Sequence, residues 1–125
     1  MVMFTKEVLT RFENPRNVGE LDNFNAKGVA GDPKCSDSIV MSLKLTGEVV
    51  EDAKFKVFGC PGAIATTDVF IDLIKGKKIE EALKIAEKDI SAALGGLPTE
   101  HMHCTNLSIE AFRKAVEYYS KNKRR

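Results

Sequence analysis

Between Ser38 and Phe58 the sequence alternates apolar and polar residues twice, with Thr46-Gly47-Glu48 separating the two runs. Ile39, Met41, Leu43 and Leu45 mark the first run. In the second, Ala53, Phe55 and Val57 alternate with Lys54, Lys56 and Phe58. Successive side chains of a strand point to opposite faces, so this pattern predicts two half-buried strands, 38–45 and 49–58. The short turn between them predicts an antiparallel hairpin. A strand before Cys35 is more weakly signalled.

The rest of the chain changes period. Thr5 to Phe12 predicts a short amphipathic helix with Thr5 as N-cap and Val8, Leu9 and Phe12 on its apolar face. Asn14-Pro15-Arg16-Asn17 and Gly19 end it in a polar loop. Gly59-Cys60-Pro61-Gly62 stops the second strand. From Ala63 to Ile74 the apolar residues at 64, 65, 69, 70, 73 and 74 follow a helical period, closed by Lys75-Gly76. Two shorter helices are predicted over Ile79–Ala86 and Asp89–Leu94, then a loop at Gly95-Gly96-Leu97-Pro98. A last helix runs from His103 or Thr105 to Tyr119, with Ile109, Phe112, Val116 and Tyr119 toward the core. This order predicts an α+β fold: a small antiparallel sheet of about three strands with helices packed on one face.

With 125 residues, the chain fits a single domain over 1–125. Such a domain buries roughly two thirds of its unfolded surface and needs no disulfide staples. The charges, 19 basic against 18 acidic, net +1, offer no electrostatic footprint for nucleic acid or an anionic membrane. Charges enter early in Met-Val-Met-Phe-Thr-Lys-Glu, and no run nears the ~18 apolar residues of a membrane span. These features predict a cytoplasmic protein with no nucleic-acid or membrane partner. The basic end, Lys121 to Arg125, reads as a solvated tail. Three cysteines is an odd number, and in a reducing compartment thiols seldom pair.

Cys35, Cys60 and Cys104 all fall where an element begins or ends. Cys35 precedes the first clear strand, Cys60 ends the second, and Cys104 opens the last helix beside His103. Loops at one end of a sheet converge, which makes a shared site geometrically reasonable. A thiol at a helix start feels the free N–H groups and the helix dipole, which favour the thiolate; Lys34 acts likewise on Cys35. Glycines and a proline around Cys60 leave room for a bulky cofactor. Free cysteine is often a small buried hydrophobe, yet here each stands beside Gly, Pro, Asp or His. The spacing lacks a Cys-x-x-Cys pair, so alone it indicates only a metal or thiol site. Asp37 serves equally as a turn residue or a ligand at that site, and His103 as a cap or a ligand.

Several stretches, in order, resemble the IscU/NifU-like iron–sulfur cluster scaffold family over nearly the whole chain. They are Glu13-Asn14-Pro15-Arg16-Asn17-Val18-Gly19, Gly31-Asp32-Pro33-Lys34-Cys35-Ser36-Asp37, Ala53-Lys54-Phe55-Lys56-Val57-Phe58-Gly59-Cys60, Ala63-Ile64-Ala65, and Leu97-Pro98 leading to His103-Cys104. The resemblance implies a SufE/IscU-like fold and a non-enzymatic scaffold that assembles [2Fe–2S] clusters, with [4Fe–4S] as a second form, and transfers them to apo-acceptors. It implies Cys35, Cys60 and Cys104 as cluster thiolates, Asp37 as a labile ligand, His103 as an alternative fourth ligand and Cys104 as sulfur acceptor. The implied partners are an IscS/NifS-like cysteine desulfurase, a frataxin-like protein or ferredoxin supplying iron or electrons, and apo iron–sulfur acceptors. Iron is the implied metal, Zn(II) a substitute in isolated protein, and the cluster-bound form a dimer.

Three departures stand out: Ser36 within Cys35-Ser36-Asp37, Pro61-Gly62 after Cys60, and Leu97-Pro98-Thr99-Glu100-His101 in place of the family's Leu-Pro-Pro-x-Lys chaperone-docking stretch. The 44 positions from Cys60 to Cys104 (104 − 60) leave no SufU-type insertion. Thiolates select Fe–S, Zn(II) or Cu(I) over hard cations. The rival readings are a zinc-bound persulfide relay with the same ligands, a Cys–His hydrolase using Cys104, and a purely structural domain. Adjacent His103 and Cys104 on one helix point apart, which is poor for proton transfer between them.

Overall fold

The computed structural model describes residues 5–32, 37–58, 61–96 and 102–123. Within these ranges it describes the backbone alone for Asp32, Asp37, Pro61, Gly62, Met102, His103, Cys104, Asn122 and Lys123. Strands β1 (Ala26–Asp32), β2 (Asp37–Thr46) and β3 (Val49–Phe58) form one antiparallel sheet in the order β1-β2-β3. The pairings Ile39↔Val57, Met41↔Phe55 and Leu43↔Ala53 align the apolar rows that the alternation predicted. The register shifts between Lys44 and Leu45, so that Leu45 opposes Val50 and both are buried. Gly47 takes a positive φ of 61° in the turn, a conformation that costs glycine little. Phe58 is 70% exposed, on the outward row where its position in the alternation puts it.

The helices are α1 (Lys6–Glu13), α2 (Pro61–Ile74), α3 (Ile79–Ala82), α4 (Glu87–Ala93) and α5 (Met102–Lys123). Helix α5 lies on β1 and β2, and α2 packs against β3 and α5. Phe70 of α2 and Phe112 of α5 meet edge to face, centroids 5.7 Å apart and planes at 74°, which adds about 1 kcal/mol beyond the area they bury. The helices thus cover one face of the sheet. The segment before β1 guards the rest. Gly19 N donates to Phe55 O (2.8 Å) and Phe55 N to Asn17 O (2.9 Å), which closes the free edge of β3. The chain then crosses the outer face, where Leu21 N donates to Ser42 Oγ (3.1 Å), and Asn25 brackets Leu45 through both its amide atoms.

Strand β1, weakly signalled in sequence, depends on small residues. Ala26 and Ala30 are buried, and Gly28 between them faces α5 so closely that an added Cβ would lie 2.1 Å from Ala111 O and 2.6 Å from Ala115 N. Both atoms are backbone, so neither can swing aside.

Helix boundaries differ from the sequence reading in α2, in the stretch from Ile79 to α4, and in α5, which runs to Lys123 where the apolar spacing predicted an end at Tyr119. Pro61 opens α2 two residues early, since its missing N–H is not needed in the first turn. The helix predicted over Ile79–Ala86 stops at Ala82, and α4 starts at Glu87 because Asp89 Oδ2 reaches back to accept from Ala86 N at 2.8 Å. In α1, Thr5 is the N-cap as predicted, its Oγ1 accepting from Val8 N at 3.2 Å. Only Val8 of the predicted face is buried; Leu9 and Phe12 remain 44% and 40% exposed. This helix sits at the rim with α2 as its main neighbour, so the strip it buries is one residue wide.

Polar bonds hold α1 and the following loop where apolar area does not. Asp68, fully buried on α2, accepts from Arg16 N (2.9 Å), Asn17 N (2.8 Å), Asn17 Nδ2 (3.1 Å) and Arg11 Nη1 (2.8 Å). One turn on, Asp72 accepts from Arg11 and from Asn17 Nδ2 (3.1 Å), and Lys75 Nζ donates to Asn17 Oδ1 (2.7 Å). At the other end of α1, Thr5 Oγ1 donates to Leu94 O. Partial burial alone would push the Asp72 carboxyl up. The hydrogen bonds from Arg11 and Asn17, with the charges of Arg11 and Lys75, outweigh it and hold the carboxyl below its usual range.

Two outcomes follow from this packing. Gly28→Ala forces α5 off β1, and the urea midpoint should fall by the equivalent of roughly 1–3 kcal/mol. For Asp72 the folded pKa is the lower one. Its contribution to stability is therefore present above the unfolded carboxyl pKa of about 3.9 and lost as pH falls through the folded value. Chemical denaturation should find Asp72→Asn less stable than the parent at pH 6–7 (roughly neutral conditions), with the gap closing below about pH 4. A gap independent of pH would show that the charge of Asp72 contributes nothing.

Candidate cluster-assembly site

Strand register decides which loops share an end of the sheet. Asp32 pairs with Asp37, and Ser38 pairs with Phe58. The connection 33–36, which carries Cys35, and the end of β3, which leads to Cys60, therefore leave the sheet at the same end. Asp37 is the first residue of β2, at that end. The turn at Gly47 marks the opposite end.

Helix α5 brings the third element. Tyr119 Oη donates to Gly47 O at 3.3 Å, so the late part of α5 lies over the far turn. The 17 residues back to Met102 (119 − 102) span about 26 Å of helix, enough to return along the strands to the end where β1 meets β2. Positions 103 and 104 are in the first turn of α5. Helix α2 starts at Pro61, three residues past Phe58. Thr67 Oγ1 and Ser108 Oγ lie 2.8 Å apart, both fully buried, so the early turns of α2 and α5 are side by side.

The fold thus brings to one end all the described backbone that flanks the predicted ligands. Asp37, His103 and Cys104 are placed there as backbone positions. Cys35 and Cys60, and the side chains of all five predicted ligands, lie outside the described residues, as does the stretch 97–101. Among the described residues no group of three or more His, Cys, Asp or Glu is arranged to hold a metal ion. No described helix is long and apolar enough to cross a membrane.

Two features at this end escaped the sequence reading. One is the layer of fully buried hydroxyls, Thr66, Thr67, Thr105 and Ser108, beneath the starts of α2 and α5. Thr66 and Thr67 both donate to Ala63 O, at 3.2 and 2.8 Å. The other is Asp68 on the same helix. A charged residue in the otherwise apolar run Val69-Phe70-Ile71 was the available signal, since a buried carboxylate needs partners. An open groove of about 650 Å³ lies between the α3–α4 connection and α5, lined by Leu83, Ile85, Lys88, Asn106, Ile109 and Arg113 among others.

Comparison with known proteins agrees with the fold and with the motifs. Residues 3–125 match the NifU-like N-terminal domain family. The chain is 45% identical over 121 residues to the iron–sulfur cluster assembly scaffold protein IscU 1 of Archaeoglobus fulgidus, covering 96% of this chain and 79% of that protein. It is 38% identical over 125 residues to the IscU scaffold protein of Escherichia coli, covering 97% and 96%. The crystal structure of the N-terminal part of a nitrogen-fixing NifU-like protein from Brucella abortus superposes with a TM-score of 0.73 at 18% identity, covering 93% of each chain, which establishes a common fold. A family match over nearly every residue, close relatives of similar length and a shared three-stranded α+β architecture lead to one assignment: the chain belongs to the NifU-like N-terminal domain family, with IscU proteins among its relatives.

Proposed function

We propose that this protein is a scaffold on which iron–sulfur clusters are assembled and from which they are passed on. The observation that carries the proposal is the convergence, at one end of the sheet, of the three described backbone boundaries next to Cys35, Cys60 and Cys104. The relatives named as cluster assembly scaffolds support the same reading. The whole chain, 1–125, acts as one scaffold domain in a reducing cytoplasm. It accepts sulfur without turning over a substrate.

The cargo is a [2Fe–2S] cluster, with [4Fe–4S] as a later form. Cys35, Cys60 and Cys104 supply three soft thiolates, and Asp37 or His103 completes the set. A cysteine desulfurase delivers sulfur as a persulfide on Cys104. Persulfide sulfur is at the zero oxidation state and takes up two electrons to become sulfide, which requires a reductant such as a ferredoxin-like protein. Iron arrives as a substrate, through a frataxin-like donor or directly. A carboxylate is harder and binds iron more weakly than a thiolate, so Asp37 leaves one corner of the cluster easy to displace by an acceptor's cysteine. An electron carrier gains from four thiolates; a scaffold that gives its cargo away does not. The loaded form is a dimer, and Zn(II) occupies the same ligands in protein isolated without iron.

The test is anaerobic reconstitution with iron, cysteine and a desulfurase, read by visible absorption and by iron and sulfide analysis. A labile chromophore with bound sulfide, absent from Cys35→Ala, Cys60→Ala and Cys104→Ala and transferable to an apo-ferredoxin, is the expected result. Retained zinc and a stable persulfide, with no chromophore, would mean that the chain relays sulfur and builds nothing. Asp37→Ala should slow transfer to the apo-ferredoxin by about tenfold or more, on the scale of losing a tuned metal ligand; unchanged kinetics would remove Asp37 from the mechanism.

A further inference from the structure

We infer that the groove along α5 is a docking site for an amphipathic helix of a partner protein, lying antiparallel to α5 with acidic residues toward its C-terminal end. Such docking goes beyond the scaffold reading and does not depend on it.

The groove of about 650 Å³ beside the α3–α4 connection continues into two more hollows, of about 380 and 520 Å³. Leu83 lines all three, Arg113 joins the first to the second, and Val116 joins the second to the third. Together they follow α5 from Asn106 to Ser120, 14 residues (120 − 106) or about 21 Å of helix. Ile85, Ile109 and Val116 line this length with apolar side chains that pack on the core, and Leu83 is left 36% exposed above them.

A straight apolar channel of this length accepts about four turns of helix, whose backbone groups satisfy one another. An extended strand finds no partners there. The N–H groups of Leu83, Lys84, Ile85 and Ala86 on one wall already donate to Ile79 O, Glu81 O, Ala82 O and Asp89 Oδ2, and the other wall is itself a helix. A second copy presenting the same groove does not fill it either, since two hollows leave a gap between them.

Charge sets the direction. Lys88 and Arg113 stand at the Asn106 end, with Lys84 between the ends, and none of the three has an ion-pair partner among the described residues. Glu87 alone opposes them, because Glu110 is held by Lys114 at 3.3 Å. Toward the Ser120 end stand Glu48, Glu80 and Glu117. The dipole of α5 runs in the same sense, positive toward residue 102 and negative toward residue 123. An antiparallel helix brings its negative C-terminal end to Lys88 and Arg113 and its positive N-terminal end to Glu48 and Glu80, and acidic residues in its last turns add to the fit. Asn106 is two positions past 104 (106 − 104), so the partner's C-terminal end stops within a turn of that position.

The probe is a pair of side-chain-stapled helical peptides of about 16 residues, long enough to fill the groove. Both have the same composition, with Leu at every third or fourth position. One carries Lys in its first half and Glu in its second; its twin carries the reverse. Titrated against the full chain, the first should shift the amide NMR signals of 83–88 and 106–120. It should bind about tenfold more tightly than its twin, the size of two or three exposed ion pairs, and the preference should fade toward about 1 M salt. Lys88→Glu combined with Arg113→Glu should reverse the preference and leave the urea midpoint in place, while Leu83→Ala should weaken both peptides alike by about fivefold.

Equal affinity for the twins, shifts confined to other surfaces, or no shift by about 1 mM peptide overturns the proposal. So do two other results. Inorganic phosphate reproducing the peptide's shifts would assign the groove to a small anion, and dimerisation in sedimentation that Leu83→Ala abolishes would assign it to a second copy.

Discussion

The close approach of α5 to β1 is the contact on which the rest of the architecture depends. It exists because Gly28 presents no side chain to the backbone at Ala111 and Ala115, with Ala26 and Ala30 keeping the flanking positions small. A helix that rides this low on a sheet edge strand is fixed in direction along its length. Its late turns reach Gly47 at one end of the sheet, and its first turn is carried to the other. The position of residues 103 and 104 is thus decided some ten residues away, by the size of residues on a different element.

Helix α2 is fixed by a different kind of force. Its inner side joins the common core through Phe70, Ile71 and Ile74, while Asp68 and Asp72 serve as the anchor for Arg11, Arg16 and Asn17. The charged group in the middle of an apolar helix is stable because four donors, Arg11 Nη1, Arg16 N, Asn17 N and Asn17 Nδ2, surround the pair of carboxylates. It also fastens the chain's first helix, which buries a single residue of its own. The segment that follows Asn17 then protects the edge of β3 and crosses the open face to enter β1. Loop, edge and helix are one continuous device that prevents edge pairing with another chain.

In the proposed role, this rigidity sits beneath ligands that have to bind and release. Strand register, helix direction and the buried hydroxyl layer belong to the frame; the exchange of a carboxylate for an incoming thiolate belongs to its rim. Assembly then needs no enclosed pocket.

The alternation over 38–58, the helical periods of α2 and α5 and the cap at Thr5 were legible in the chain alone, because each is a local pattern with one physical meaning. The family was legible too, from ordered motifs around Cys35, Cys60 and Cys104. Strand β1 was hardly legible: Ala26, Gly28, Ala30 and Gly31 have weak strand propensity, and their value is the room they leave for α5. The exposure of Leu9 and Phe12 escaped because amphipathic spacing says which residues share a face and not how much of a neighbour is there to cover it. Asp68 is a polar position whose meaning lay in partners about fifty residues away, and Thr67 and Ser108 are far apart in the same way. Sequence by itself determined the elements and the chemistry of the candidate ligands, since periodicity and residue type are local. Tertiary structure decided which ends meet and at what level, since those depend on backbone approach and buried hydrogen bonds between elements that no local pattern encodes.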